Sequence, residues 1–147
     1  TDAVKKRMMA EREIGSLLSG GLESSFFCSL VNQLHNGSTL KTFSIGMPGS
    51  VDLEYAKIVA NHLGTDHHQI QISKEDFLNA IETVIYNIES FDTTTVRASV
   101  GNYLVSKFIR ENSDCKVIFN GDGSDEVCGG YVYMKNAPGK TFITKSF

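Results

Sequence analysis

The feature that most constrains this chain is an alternation. Four short apolar runs are each separated from the next by a turn and a stretch of helical periodicity. Ile14-Gly15-Ser16-Leu17-Leu18, Leu40 to Met47, His68 to Ile72 and Lys116 to Phe119 read as strands. Residues 2–13 read as an opening helix with Asp2 as its cap, and Ser24 to Leu34 places Phe26, Phe27, Leu30, Val31 and Leu34 on one helical face. After the Asn36-Gly37 turn and the second strand, Asp52 opens a helix with Leu53, Ala56, Val59, Ala60 and Leu63 on one side and Gly64 as its C-terminal cap. Ser73 to Asp76 has the form of a capping box. The helix behind it carries the clearest stripe of the chain: Phe77, Leu78, Ile81, Val84, Ile85 and Ile88. Thr93-Thr94-Thr95 separates it from a helix running to about Arg110, with Val100, Leu104, Val105 and Phe108 as its apolar side. Strands joined by helix-length crossovers can only pair in parallel, with helices covering the sheet. The expected fold class is therefore α/β, a doubly wound parallel sheet with helices on both faces, incomplete at its carboxyl end.

Composition narrows the function classes. The 147 residues are 41% hydrophobic and 21% charged, enough to bury a core. A net charge of -3 argues against nucleic-acid binding over a broad basic surface, since phosphate neutralisation needs clustered positive charge. No apolar run approaches the roughly 20 residues that span a bilayer, and the first residues given lack the apolar core of a secretory signal. The cysteines, Cys28, Cys115 and Cys128, are odd in number and lack a CxxC pair; they read as buried small apolar residues in a reducing, cytoplasmic setting. His62, His67 and His68 are close in sequence, but two lie where a helix ends and a strand begins, facing different ways, and zinc also wants a fourth ligand, so a blander role is the expectation over a metal site. The chain opens in what reads as mid-helix and stops at Phe147 with no closing element, which suggests a piece of something longer.

In parallel sheets, ligands bind beyond the carboxyl ends of the strands. Both glycine-rich turns, 19–21 and 121–123, directly follow strands and belong on that edge. In Leu18-Ser19-Gly20-Gly21-Leu22-Glu23-Ser24-Ser25 a helix starts at once, its first amides have no internal partners, and its dipole favours an anion. Glycines let a phosphate approach the backbone, and Ser19, Ser24 and Ser25 add hydroxyls, so the segment reads as a pyrophosphate cradle. It is neither the lysine-containing nucleotide loop nor a nucleophile elbow. Glu23 would repel a phosphate unless a divalent cation, with magnesium the default, bridges the two; simple dipole complementarity is the plainer alternative. Gly121-Asp122-Gly123-Ser124-Asp125-Glu126 suggests a metal site or a catalytic acid, beside the blander reading of a solvated acidic turn. A calcium loop is ruled out: Asp125 stands where glycine is required, and the twelfth position from Asn120 is Tyr131. Tyr131 and Tyr133 are expected to pack under this loop.

SGGLESS, FSIGMPGS, VANHLGTDHH, ESFDTTTVRAS and GDGSDEVCGGYVY, in this order, closely resemble the synthetase domain of the glutamine-dependent asparagine synthetases, in the pyrophosphate-loop ATPase superfamily. The match runs over residues 1–138 and leaves 139–147 as a tail without resemblance. It implies an adenine-nucleotide alpha-hydrolase-like fold and a reaction in which ATP and aspartate give β-aspartyl-AMP, which ammonia then converts to asparagine. By the resemblance, Leu18 and Ile45 contact adenosine, and Ser19, Gly20, Gly21, Ser24 and Ser25 hold pyrophosphate. Asn120 and Gly121 line the nucleotide, Glu23 and Asp125 bind magnesium, and Asp122 helps form or resolve the intermediate. Arg97 is a carboxylate or phosphate partner. The implied cofactors are ATP and Mg2+. The implied partners are aspartate and a glutaminase domain that supplies ammonia, with no nucleic acid and no membrane, and the full-length form admits a homodimer. The chain departs from the family's usual residues at Glu23 (for Asp), Asp122 (for Glu) and Asn120 (for Ser), and a downstream lysine has no counterpart. A β-lactam-forming or other adenylating relative, or a nucleotide-binding remnant without turnover, are the alternatives.

Overall fold

The computed structural model describes residues 1–36, 39–132 and 134. Its elements, in chain order, are α1 (Asp2–Arg7), β1 (Ile14–Leu17), α2 (Leu22–Leu34), β2 (Lys41–Gly46), α3 (Val51–Leu63), β3 (Asp66–Gln71), α4 (Lys74–Ile88), α5 (Thr93–Asn112), β4 (Val117–Phe119) and α6 (Ser124–Cys128). The strands form one sheet in the order β3-β2-β1-β4, and every pairing is parallel. The chain steps outward from β1 through β2 to β3, then returns to the other side of β1 for β4. Between β1 and β4 the winding reverses, and a sheet of this kind opens a crevice at such a switch point. Gly15 pairs with Lys41 on one side and Ile118 on the other, and Phe119 ends β4 opposite Ser16, so the carboxyl ends of β1 and β4 finish within one residue of each other.

Strand alternation splits the sheet into two faces. Ile14, Leu18, Leu40 and Phe119 point to one face and are buried under α2 and α3 with Val4, Cys28, Val31, Ala56 and Ala60. On the other face Phe43 and Ile70 pack with Val105 and Ile109 of α5. A third cluster joins α4 to α5 through Ala80, Val84, Val96 and Val100. The doubly wound expectation is thus met by α2 and α3 on one side and α5 on the other, with α4 resting on α5.

The sequence reading needs correction in places. The opening helix ends at Arg7, and Asp2 lies inside it; the preceding Thr1 makes no side-chain cap. Helix α2 starts at Leu22, ahead of Ser24, because the chain turns into a helix immediately after the double glycine. Phe26 is 66% exposed and Leu78 54%, each on the margin of its apolar stripe. Thr93 to Thr95 form the first turn of α5, where Asp92 Oδ2 accepts from Thr95 N at 2.8 Å. Cys128 is exposed on the short α6, whereas Cys28 and Cys115 are buried as expected. The capping box is present: Asp76 N donates to Ser73 Oγ at 3.0 Å, and Asp76 Oδ2 accepts from Ser73 N at 2.8 Å. Gly64 caps α3 in the left-handed conformation, at φ 67°. Gly37, Tyr133 and the 139–147 tail, all part of the sequence reading, lie outside the described residues.

Candidate nucleotide site

Beyond the carboxyl ends of β1, β2 and β4 lies a cleft of about 400 Å³. One wall is the turn from β1 into α2. Gly20 sits at φ 84°, and a Cβ there would lie 2.5 Å from Ala56 N and 2.7 Å from Tyr55 Cβ, so the turn is pressed against α3. A positive φ and close backbone contact together leave glycine as the residue that fits. Gly21 differs. It is the N-cap of α2 at φ -67°, ψ 161°, an ordinary extended conformation. A Cβ added there meets only Ser19 Oγ at 3.4 Å, Glu23 Oε2 at 3.9 Å and Ser24 Oγ at 4.0 Å. The missing side chain leaves a small concavity bounded by two hydroxyls and a carboxylate, at a helix start.

That concavity is built by local hydrogen bonding. Ser19 Oγ and Ser24 Oγ are 2.8 Å apart, Gly21 N donates to Ser19 Oγ at 3.3 Å, and Ser24 Oγ donates to Gly21 O at 3.2 Å. The first helical bond of α2 runs from Ser25 N to Gly21 O, so the amides of Leu22, Glu23 and Ser24 precede any intrahelical acceptor. Ser25 Oγ is buried and lacks a hydrogen-bond partner among the described residues. A buried hydroxyl in that condition is costly, and an acceptor brought to this turn would relieve it.

The opposite wall is the loop after β4. A Cβ at Gly121 would lie 3.3 Å from Ser24 Cα and 3.4 Å from Ser24 N, so this loop abuts the first turn of α2. Asn120 Nδ2 donates to Asp122 Oδ2 at 3.1 Å, and Asp122 N to Asn120 Oδ1 at 3.4 Å, which folds the loop back on itself. Tyr131 donates its hydroxyl proton to Glu126 Oε1, and this bond holds the Glu126 carboxyl below its usual range. Tyr131 lines the cleft.

Of the residues singled out from sequence, Leu18, Ser19, Glu23, Ser24, Ile45, Asn120, Gly121, Asp122 and Asp125 line the cleft. Gly20 and Gly21 form the turn at its edge, and Ser25 lies in the adjoining first turn of α2. Arg97 is exposed on α5 and is not among the lining residues. Asp52 of α3 and Asn102 of α5 also line the cleft. The helix start after β2 was a sequence-level hint for Asp52; Asn102, in the middle of a helix, carried none. The lining is mixed: Leu17, Phe43, Ile45, Leu53 and Val105 are apolar, beside the glycines and acids of the two loops.

Among the described lining residues are five carboxylates, Glu23, Asp52, Asp122, Asp125 and Glu126, and no lysine or arginine. An anionic ligand therefore needs a counter-charge from elsewhere. No group of three or more His, Cys, Asp or Glu side chains among the described residues could hold a metal ion alone. Hard carboxylate oxygens at the starts of α2 and α6, Glu23 and Asp125, suit magnesium, which takes one or two carboxylates and completes its shell with phosphates and water. The histidines are explained otherwise. His67 sits in a hydroxyl ladder, with Nδ1 2.9 Å from Thr42 Oγ1 and Nε2 3.2 Å from Ser44 Oγ, while His68 stacks on Phe43 at 5.3 Å. Among the described residues no helix is long and apolar enough to cross a membrane.

Comparison with known proteins bears on the fold and on the family. The solved structure of a glutamine-dependent NAD+ synthetase from Acinetobacter baumannii, in complex with adenosine diphosphate, superposes on 97% of this chain and 30% of its own, with a TM-score of 0.57 at 15% identity. The NH3-dependent NAD synthetase from Campylobacter jejuni superposes on 88% of this chain and 56% of its own, with a TM-score of 0.56 at 16% identity. At such identities the likeness is one of fold. Sequence relatives are nearer: asparagine synthetase [glutamine-hydrolyzing] from Bos taurus and from Homo sapiens are each 50% identical over 141 residues, 93% of this chain. The chain spans about a quarter (25%) of the length of these relatives. The family model for asparagine synthase matches residues 1–144, and the chain belongs to the asparagine synthase family.

Proposed function

We propose that this chain carries the ATP-binding part of an amide ligase that makes asparagine from aspartate. The observation that carries the reading is the meeting of two glycine-rich loops at the β1/β4 switch point. Gly21 leaves an open cradle beside Ser19 and Ser24, and Gly121 seats the acidic loop against the same helical turn. The names of the relatives supply the reaction class.

In this reading the pyrophosphate of ATP lies on the 19–25 turn, with the α2 amides and the hydroxyls of Ser19, Ser24 and Ser25 as donors. Leu18 and Ile45 hold the adenosine, and Asn120 and Gly121 flank it. An oxygen of the aspartate β-carboxylate attacks the α-phosphorus, and the bond to pyrophosphate breaks. Ammonia then attacks the activated carbonyl carbon and AMP departs, with Asp122 placed to handle the proton on the attacking nitrogen. Arg97, N-terminal to Asn102 on α5 and exposed, is available to a substrate carboxylate arriving from solvent. Glu23 and Asp125 would hold magnesium, whose role is to neutralise phosphate charge. Ammonia comes from glutamine in a glutaminase domain, the setting is cytoplasmic, and the full-length protein admits a homodimer.

One observation favours a second reading, a nucleotide-binding remnant without turnover: no cationic side chain among the described residues lines the cleft to stabilise charge developing on the α-phosphate. A single experiment separates the two. The chain is mixed with ATP, magnesium, aspartate and ammonia, and pyrophosphate, AMP and asparagine are measured beside ATP binding. Aspartate-dependent pyrophosphate release supports the ligase, and other carboxylates in place of aspartate test for a β-lactam-forming or other adenylating relative. Binding without release supports the remnant, and absence of ATP binding refutes both.

A further inference from the structure

Asp52 is an acidic residue in a cleft already rich in acids, and the roles assigned above do not use it. It is the second residue of α3, next in sequence to Leu53, and both line the cleft, as does Ile45. Two other acids at the starts of long helices serve a plain structural purpose. Asp76 and Asp92 accept hydrogen bonds from Ser73 N and Thr95 N, each at 2.8 Å, and cap their helices. The Asp52 carboxylate accepts no hydrogen bond and forms no ion pair within the described residues. The capping position before α3 belongs to Ser50, which makes no side-chain cap.

Position gives the carboxylate a partner. Helices α2 and α3 follow adjacent strands, lie on the same face, and start at the same edge of the sheet. The phosphate turn presses on α3 at Tyr55 and Ala56, and Asp52 is one helical turn N-terminal to them on that side. A nucleotide whose phosphates rest on the start of α2, and whose base lies among Ile45, Leu53 and Val105, passes its sugar across the start of α3. A carboxylate can only accept hydrogen bonds. Beside a triphosphate it finds donors only on the ribose hydroxyls and the exocyclic amine of the base. The two vicinal hydroxyls match the two oxygens of one carboxylate, in charge-assisted bonds of the stronger kind.

Resting on the nucleotide reading of the cleft, we propose that Asp52 recognises the ribose 2′- and 3′-hydroxyls and makes the site selective for ribonucleotides. The test is titration of ATP, 2′-deoxy-ATP and 3′-deoxy-ATP, with magnesium, into the unaltered chain, Asp52→Ala and Asp52→Asn. The unaltered chain should prefer ATP over either deoxy analogue by about 10–100-fold, the range expected for hydrogen bonds to a charged group. Asp52→Ala should bind all three within about threefold of one another, at the level of the deoxy analogues on the unaltered chain. Asp52→Asn, which keeps one acceptor, should fall between. Unchanged preference for ATP in Asp52→Ala would overturn the assignment. So would an equal loss for all three ligands, which would place the carboxylate on the base amine or on metal. Failure of the unaltered chain to bind ATP at all would instead overturn the nucleotide reading beneath it.

Discussion

Gly21→Val separates a binding cradle from a structural turn. At φ -67°, ψ 161° the valine backbone is unstrained, and its Cβ meets no atom closer than Ser19 Oγ at 3.4 Å. The cost to folding is that of a poorer N-cap, about 1 kcal/mol. The cost to a phosphate is larger, because the isopropyl group fills the concavity between Ser19, Ser24 and Glu23 and keeps an anion off the α2 amides. Two amide–phosphate hydrogen bonds at roughly 1.5–3 kcal/mol each correspond to a loss of about 10²–10⁴ in affinity. Calorimetric titration of ATP with magnesium measures this, and a urea melt without ligand measures the fold. Gly20→Ala is the contrast: at φ 84° its Cβ would lie 2.5 Å from Ala56 N, so it should destabilise the chain by about 1–3 kcal/mol before any ligand is added. If Gly21→Val bound ATP within about threefold of the unaltered chain, the phosphate would lie elsewhere and the cradle would be only a turn.

Three further outcomes follow from the same structure. For Glu23, a titration of ATP affinity against magnesium should show Glu23→Asp matching or exceeding the unaltered chain and Glu23→Gln losing metal dependence; superimposable curves would leave Glu23 as a helix-start residue. His67 is held below the usual histidine range, by burial first and by the neighbouring His68 second. The unfolded state then binds more protons, so stability is full above about pH 6.5 and declines as pH falls from there toward the folded pKa. The urea midpoint of His67→Gln should lack this part of the acid decline, and identical pH slopes would refute the assignment. Leu40→Ala, 1% exposed at the end of the sheet away from the cleft, should cost about 2–5 kcal/mol of stability while folded protein keeps its ATP affinity. A matching loss of affinity would mean that the cleft depends on packing at the far end of β2.

Local sequence determined the elements and the two loops. Glycines, caps and apolar periods act within a few residues of themselves, and that is why the capping box at Ser73, the Gly64 cap and the turn at 19–21 were legible. Alternation of strand and helix dictated parallel pairing, and parallel pairing put both glycine-rich turns on one edge. Family resemblance supplied Leu18 and Ile45, which the structure brings to the cleft. The strand order β3-β2-β1-β4 was decided only by tertiary packing, because parallel strands are joined by helices that leave the order open. That order makes β1 and β4 neighbours and sets Gly121 against Ser24, so residues far apart in sequence meet in one cleft. Asp52, hinted at by the helix start after β2, and Asn102 entered the site from helices on opposite faces of the sheet; Asn102's entry and Arg97's exclusion rest on grounds no local pattern records. Periodicity states which side of a helix is apolar; where its polar residues finish depends on how the helix is docked over the sheet edge, and long-range packing alone fixes that.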